Sequence, residues 1–221
     1  MPIVLYHFPP SPPSRAALAA AKVVGVDVNI KIVDLFAKEQ LKEDFVKINP
    51  QHTIPTLDDN GFVLWDSHAI ATYLVSQYGK DDSLYPKEAK KRALVDQRLY
   101  FDAGTLFPRM RAIVYPVVFL GSKSVEASVK AAAYEAIGFL EKFLEATGWV
   151  AGNHLTIADV VCAVTVSSLQ AIGLDFSGYP KIQDWLKRCK KIPGFQEANE
   201  EGVKAFGAKI SSCLPPNHLA P

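Results

Sequence analysis

Three short segments carry residue types that could bind or activate a small polar ligand. Ser11-Pro12-Pro13-Ser14-Arg15 stands between a short apolar run at 3–6 and an alanine-rich helical stretch ending near Gly25. Ser11 suits an N-cap, with proline tolerated in the first turn that follows. The same geometry favours an anion beside the hydroxyl, because the first N–H groups of a helix are unpaired and carry partial positive charge. A thiolate held there would be stabilised: helix N-termini lower thiol pKa values from about 8.5 into the range of about 3.5–7.5. Serine need not ionise in that scheme. Read alone, capping is sufficient to explain Ser11.

The second segment is Asn49-Pro50-Gln51-His52-Thr53-Ile54-Pro55-Thr56, between a helix and a strand. A proline cannot donate to a strand ladder, so Pro55 belongs at an edge or a first position. A cis Ile54–Pro55 bond would turn the main chain of Ile54 outward, where it could pair with an extended peptide. An ordinary trans bond is the alternative, since only about 5–6% of such bonds are cis. The third segment, Asp66-Ser67-His68, opens a helix. Asp66 and Ser67 are both good helix-start residues. The helix start is also a ready carboxylate site, and Asp66 could hold an ammonium beside it. Together they suit the α-amino-acid end of a ligand, although capping alone accounts for them.

The elements that must position these residues divide the chain near residue 80. Up to that point the signals are mixed. A buried strand is expected at 3–6, then the alanine-rich helix, then a half-buried strand at 28–33 from its alternation. A helix is expected at 41–48. Asn60-Gly61 between Thr56-Leu57 and Phe62-Val63-Leu64 marks a hairpin. A helix at 67–78 closes the unit. The βαβ start requires a parallel pair and the hairpin an antiparallel one. A polar linker ending in Pro86 follows. The rest reads as helix: 87–120 with kinks at Pro108 and Pro116, then 125–147, 156–172, 179–191 and 194–208. Residues 214–221 are expected to be loose. Thr156-Ile157-Ala158-Asp159 has the form of a capping box with Asp159 at N3.

Composition narrows the function. A net charge of +1 gives no electrostatic case for nucleic acid or anionic membrane. The longest apolar stretch, 16–21, is far short of the ~20 residues of a membrane span. The start lacks the pattern of a signal peptide. Cys162, Cys189 and Cys213 are odd in number and widely spaced, which suggests free thiols in a reducing compartment. A Cys-x-x-Cys redox motif is lacking, and the histidines show no close ligand pairing, so no metal is expected.

Taken in order, the serine at the first helix, the x-Pro-x-His-Thr-Ile-Pro segment, Asp-Ser-His at a helix start and an all-helical second half resemble the cytosolic glutathione transferases. Ser11-Pro12-Pro13-x-Arg15, the 49–55 segment and Arg109-Met110-Arg111 are most similar to the insect epsilon class, with delta next. The resemblance covers nearly the whole chain. It implies an α/β thioredoxin-like domain at 1–80 with a cis proline at Pro55, a linker at 81–87, and an all-α domain at 88–221. It implies glutathione as co-substrate, small hydrophobic electrophiles as partners, a homodimer and a cytoplasmic location.

The resemblance also implies roles. Ser11, rather than Ser14, would stabilise the thiolate. Ile54 would bond the cysteinyl backbone, next to Pro55. His52 would meet the glycine carboxylate, with Thr53 nearby. Gln40 stands where many relatives have histidine. Asp66 and Ser67 would hold the γ-glutamyl group, with Asp66 in place of the usual Glu. Arg111 would bind glutathione or orient the second substrate. Phe107, Met110, Val114 and Val118 recur at helical spacing and share one face. Core packing is the plain reading of such a stripe, and a wall for the electrophile is the functional one. Phe8, Leu35, Phe36, Phe119 and Phe206 are further wall candidates. Peroxidase or dehydrochlorinase chemistry would use the same thiolate. The contrasting reading is a protein of the same fold that sequesters hydrophobic ligands without turnover.

Overall fold

The computed structural model describes residues 3–215 and 219. The first half contains β1 (Ile3–His7), α1 (Pro12–Val23), β2 (Val28–Ile32), α2 (Glu43–Ile48), β3 (Thr56–Asp59), β4 (Phe62–Trp65) and α3 (Ser67–Tyr78). The strands form one sheet in the order β2-β1-β3-β4. β1 and β2 are parallel, while β1–β3 and β3–β4 are antiparallel. Asn60 and Gly61 both have positive φ, 54° and 94°. That is the backbone of a tight two-residue hairpin, and Asn-Gly adopts it at little steric cost.

Two details of this half differ from the sequence reading. β2 is an edge strand, not a half-buried one: Ile30 and Ile32 are 42% and 56% exposed. Val28 packs against the core and Val33, just past the strand, is buried, but the side chains of Ile30 and Ile32 between them stay uncovered. The 41–48 helix starts later, at Glu43, after a single 3₁₀ turn at Glu39–Leu41. Lys42, the cap of α2, offers no side-chain acceptor, whereas Glu43 and Asp44 favour the first turn.

The second half contains α4 (Ala89–Phe101), α5 (Phe107–Phe119), α6 (Ala127–Thr147), α7 (Ile157–Ala171), α8 (Pro180–Cys189) and α9 (Phe195–Ser211). The break in the long 87–120 pattern comes at a π-helical turn, Asp102–Leu106, ahead of Pro108. Pro108 then occupies the first turn of α5, where a missing N–H costs nothing. Pro116 lies within α5, which continues to Phe119. The tail is not uniformly loose. Leu214 and Leu219 are buried, and the Tyr134 hydroxyl donates to the Leu219 carbonyl at 2.9 Å. The remaining tail positions, 216–218 and 220–221, lie outside the described residues.

α7 runs through the centre of the helical half, buried from Ile157 to Leu169. Its start is fixed by the capping box, with both reciprocal bonds present. Asp159 does more than cap. Its Oδ2 accepts from the Thr156 N–H at 2.8 Å and from the Thr156 hydroxyl at 3.0 Å. Its Oδ1 accepts from the Val150 N–H and the Trp185 indole N–H, both at 2.9 Å. One buried carboxylate thus joins the loop before α7 to α8.

Asp159→Ala leaves several buried donors unpaired, each costing about 1–3 kcal/mol. We expect it to lower stability by about 3 kcal/mol or more in urea denaturation. Thr156→Ala should cost about 1 kcal/mol, the ordinary loss of a cap. Equal effects from the two variants would show that Asp159 is only a cap.

Candidate active site

Ser11 is the N-cap of α1, and its Oγ accepts from the Ser14 N–H at 3.5 Å. Ser14 is fully buried, and its Oγ accepts from the Phe8 N–H at 3.3 Å. The two serines therefore face different ways. Ser11 lines a cleft of about 770 Å³ between the two halves, and Ser14 does not.

The 49–56 loop is held by one buried side chain. The Asn49 amide donates to the Thr53 carbonyl at 3.0 Å and to the Thr56 hydroxyl at 2.9 Å, and its carbonyl accepts from the Gln51 N–H at 2.9 Å. Within this frame His52 takes a positive φ of 46° and is exposed at the cleft. The Ile54–Pro55 bond is cis. Among the described residues, no hydrogen bond outside the helices and strands engages the main chain of Ile54. Gln40 also lines the cleft, and its Oε1 is buried without a hydrogen-bond partner.

At the start of α3, Asp66 caps the helix and accepts from the His68 and Ala69 N–H groups at 2.9 and 3.1 Å. Its φ of 73° and ψ of 122° lie outside the left-handed helical region that aspartate tolerates, so a sparsely populated backbone conformation stands at the edge of the cleft. His68 points across to the helical half, where its Nε2 lies 2.9 Å from Asp102 Oδ2. Burial pulls the His68 pKa down, but the carboxylates of Asp102 and Asp66 outweigh it and hold the imidazole at about 9. His68 is thus a cation at neutral pH. In return it holds the Asp66 carboxyl below the usual range.

This ligand-shaped surface belongs to a chain whose relatives are clear. Residues 1–76 match the family model of the glutathione S-transferase N-terminal domain, and 105–193 match that of the C-terminal domain. A delta-class glutathione transferase of Nilaparvata lugens is 49% identical and superposes with a TM-score of 0.93, over 96% of this chain and 100% of that one. An epsilon-class glutathione S-transferase from the housefly, Musca domestica, is 48% identical with a TM-score of 0.91, over 95% and 97%. A glutathione transferase homolog from Drosophila mojavensis, with bound glutathione, is 42% identical with a TM-score of 0.92, over 96% and 98%. The chain belongs to the glutathione S-transferase family. Its likeness spans the delta and epsilon classes, and its fold is that of the family.

Every residue to which the resemblance gave a glutathione or electrophile role borders this one cleft. Ser11, Gln40, His52, Thr53, Ile54, Pro55, Asp66 and Ser67 line its polar side. Phe8, Leu35, Phe36, Phe107, Met110, Arg111, Val114, Val118, Phe119 and Phe206 line the rest. The stripe on α5 serves both readings: Met110 is 2% exposed and part of the core, while Phe107, Val114 and Val118 pack over it at the cleft. Arg109 turns away, donating to the Ala132 carbonyl and pairing with Glu135 on α6. Sequence reasoning named His68 only within the Asp66-Ser67-His68 helix start and missed Asp102, Tyr115 and Lys209. Tyr115 and Lys209 carried a usable signal, four residues after Arg111 and three after Phe206. Asp102 carried none, because its direction depends on the π-turn. Among the described residues, no group of three or more potential ligands is arranged to hold a metal.

The His68 pKa is raised above its unfolded value of about 6.5. Its pairing therefore adds stability that is full below about pH 6.5 and is lost as pH rises through about 9. Asp102→Asn should be less stable than the wild type by the largest margin near pH 6, with the gap shrinking by pH 9.5. Urea midpoints across that range test this, and a gap independent of pH would refute it.

Proposed function

We propose that this chain conjugates glutathione to small hydrophobic electrophiles, with Ser11 donating a hydrogen bond to the glutathione thiolate. The thiol proton passes to solvent, sulfur bonds to the electrophilic carbon, and a halide or other leaving group departs with the bonding pair. Where the electrophile is an activated alkene, the carbon next to the attacked one takes up a proton instead. The observation that carries the Ser11 assignment is the contrast between two neighbouring serines. The Ser11 hydroxyl borders the cleft at the start of α1, and the Ser14 hydroxyl is buried behind it.

On this reading the domain at 1–80 binds glutathione, 81–87 links, and 88–221 supplies the electrophile site. The free main chain of Ile54, beside Pro55, pairs with the cysteinyl backbone. His52, Thr53 and Gln40 receive the glycine end, where the Gln40 Oε1 can accept from the glycyl N–H and its amide nitrogen can donate to the carboxylate. Asp66 takes the γ-glutamyl ammonium. The start of α3 at Ser67 takes its carboxylate, with the His68 cation adjacent. Arg111 steadies the glutathione or its partner. The apolar wall lowers the cost of bringing a greasy electrophile next to the thiolate, and holding both reactants contributes rate by proximity. Bound glutathione in the homolog from Drosophila mojavensis supports the choice of co-substrate. A homodimer in the cytoplasm is part of the same proposal.

A hydrogen bond to a charged group contributes about 1.5–3 kcal/mol, which corresponds to about 10- to 150-fold in rate if it acts on the thiolate. Ser11→Ala should therefore lower kcat/KM for 1-chloro-2,4-dinitrobenzene by about that factor. Glutathione affinity should change less than about threefold. The pH midpoint of the rate should move upward as the thiol pKa rises. Unchanged turnover would remove Ser11 from the mechanism. Wild-type protein that binds dyes yet never conjugates would point to a sequestering protein instead.

A further inference from the structure

The electrophile side of the cleft carries charge that glutathione conjugation of a neutral, greasy compound does not use. Phe36, Phe119 and Tyr115 form a run of tilted rings, with centroids 6.0 Å apart for Phe36–Phe119 and 5.3 Å for Tyr115–Phe119. A cation sits over each end. Lys209 Nζ on α9 lies 5.2 Å from the Phe36 centroid, and the Arg111 guanidinium on α5 lies 4.4 Å from that of Tyr115. Among the described residues neither cation is within ion-pair distance of a carboxylate. The carboxylates that line the cleft, Asp66 and Asp102, are both on the His68 side and engaged there. The rings are accessible, with Phe36 and Phe119 each 48% exposed. This is an exposed aromatic surface with unmatched positive charge at both ends.

We propose that the preferred second substrate is a flat, anionic electrophile. It is an aromatic or conjugated compound bearing a carboxylate or sulfonate, with its ring against Phe36 and Phe119 and its anion at Lys209. Arg111 already has a role toward glutathione, so Lys209 is the residue this proposal assigns. It rests on the conjugation reading above and names the substrate class for the same site. The anion gains from an exposed cation that no carboxylate among the described residues already pairs, and the ring gains from contact with Phe36 and Phe119.

The test compares 4-chloro-3,5-dinitrobenzoate with its methyl ester. Both lose chloride to the same thiolate, and each rate is divided by the uncatalysed rate with free glutathione. The normalised kcat/KM should favour the acid by about tenfold, which corresponds to about 1.4 kcal/mol. Lys209→Gln should bring the ratio to about one, Lys209→Glu should invert it, and Lys209→Arg should keep it. In parallel, equilibrium dialysis of the unreactive 4-methyl-3,5-dinitrobenzoate and its methyl ester should show the same preference in binding. A wild-type ratio near one, or a ratio indifferent to Lys209→Glu, overturns the proposal. So does a Lys209→Glu variant that raises the KM for glutathione and slows both electrophiles equally, since the lysine would then serve glutathione. Absence of turnover with the binding preference intact would sink the conjugation reading and leave the anion site standing. Turnover without preference would do the reverse.

Discussion

The seating of α1 against the helical half is the constraint on which the rest of the site depends, and a buried arginine sets it. Arg15 is fully buried, and burial lowers its pKa to about 9. Among the described residues it meets no carboxylate. Its guanidinium donates instead to Asn199 on α9 and, at 2.7 Å, to Ser168 on α7. Those partners are themselves fixed, Asn199 by a 3.0 Å bond to Ser167 and Ser168 by a 2.6 Å bond to the Val164 carbonyl. These bonds engage both terminal nitrogens of the guanidinium while its Nε stays buried without a partner among the described residues, and a buried charge held by so few partners admits few alternative positions. Around it the packing is close. Ala16 to Ala21 are buried, and a side chain at Gly202 of α9 would run into the Pro9 carbonyl and Arg15 itself. Because Ser11 stands one helical turn before Arg15, the same contacts that join the halves also fix the hydroxyl at their shared cleft.

The polar side of the cleft follows one physical pattern. Backbone groups at the ends of elements lack partners within the element and must find them elsewhere. Asn49 satisfies the loop before β3, and Asp66 satisfies the start of α3. Bordering the cleft, the main chain of Ile54, the Oε1 of Gln40 and the Oδ1 of Asp102 find no hydrogen-bond partner among the described residues. A peptide-like ligand complements that residue of unmet hydrogen bonding. The His68–Asp102 pair adds a second tie between the halves, this time on the γ-glutamyl side.

The sequence made much of this legible where chemistry is local. Ser11, Thr156 and Asn60-Gly61 announced two helix starts and a hairpin, because caps and turns are decided by a few adjacent residues. The residues of the cleft were legible through their order along the chain and not through any one motif. What could not be read was set by tertiary placement. Alternation at 28–33 suggested a buried face, but the sheet order left β2 at an edge. Two prolines suggested kinks, yet the helical backbone runs on through a π-turn just before Pro108 and continues past Pro116. Asp102 and Lys209 gained their partners from elements more than thirty residues distant in each case, Ser67–Tyr78 for one and the loop carrying Phe36 for the other.

The stripe on α5 shows why a core and a substrate wall need not be alternatives. A helix face about 100° wide is broader than the line of contact with one neighbour. Met110, Ile113 and Val117 fill the core side of that face, while Phe107, Val114 and Val118 sit partly buried beside them. The inner set is fixed by packing density, where a change of even one methylene is felt. The outer set meets solvent or substrate and can vary in size at small cost to the fold. Substrate preference in this chain can therefore shift through residues such as Val114, Val118 and Phe119 while the Arg15 network and the α7 core hold the halves in place. Phe206 is the exception. It lines the cleft, is buried, and lies with its ring centroid 5.9 Å from the Arg15 guanidinium. Any exchange there alters the wall and the joint between the halves together, which ties the shape of the electrophile site to the interaction that seats α1.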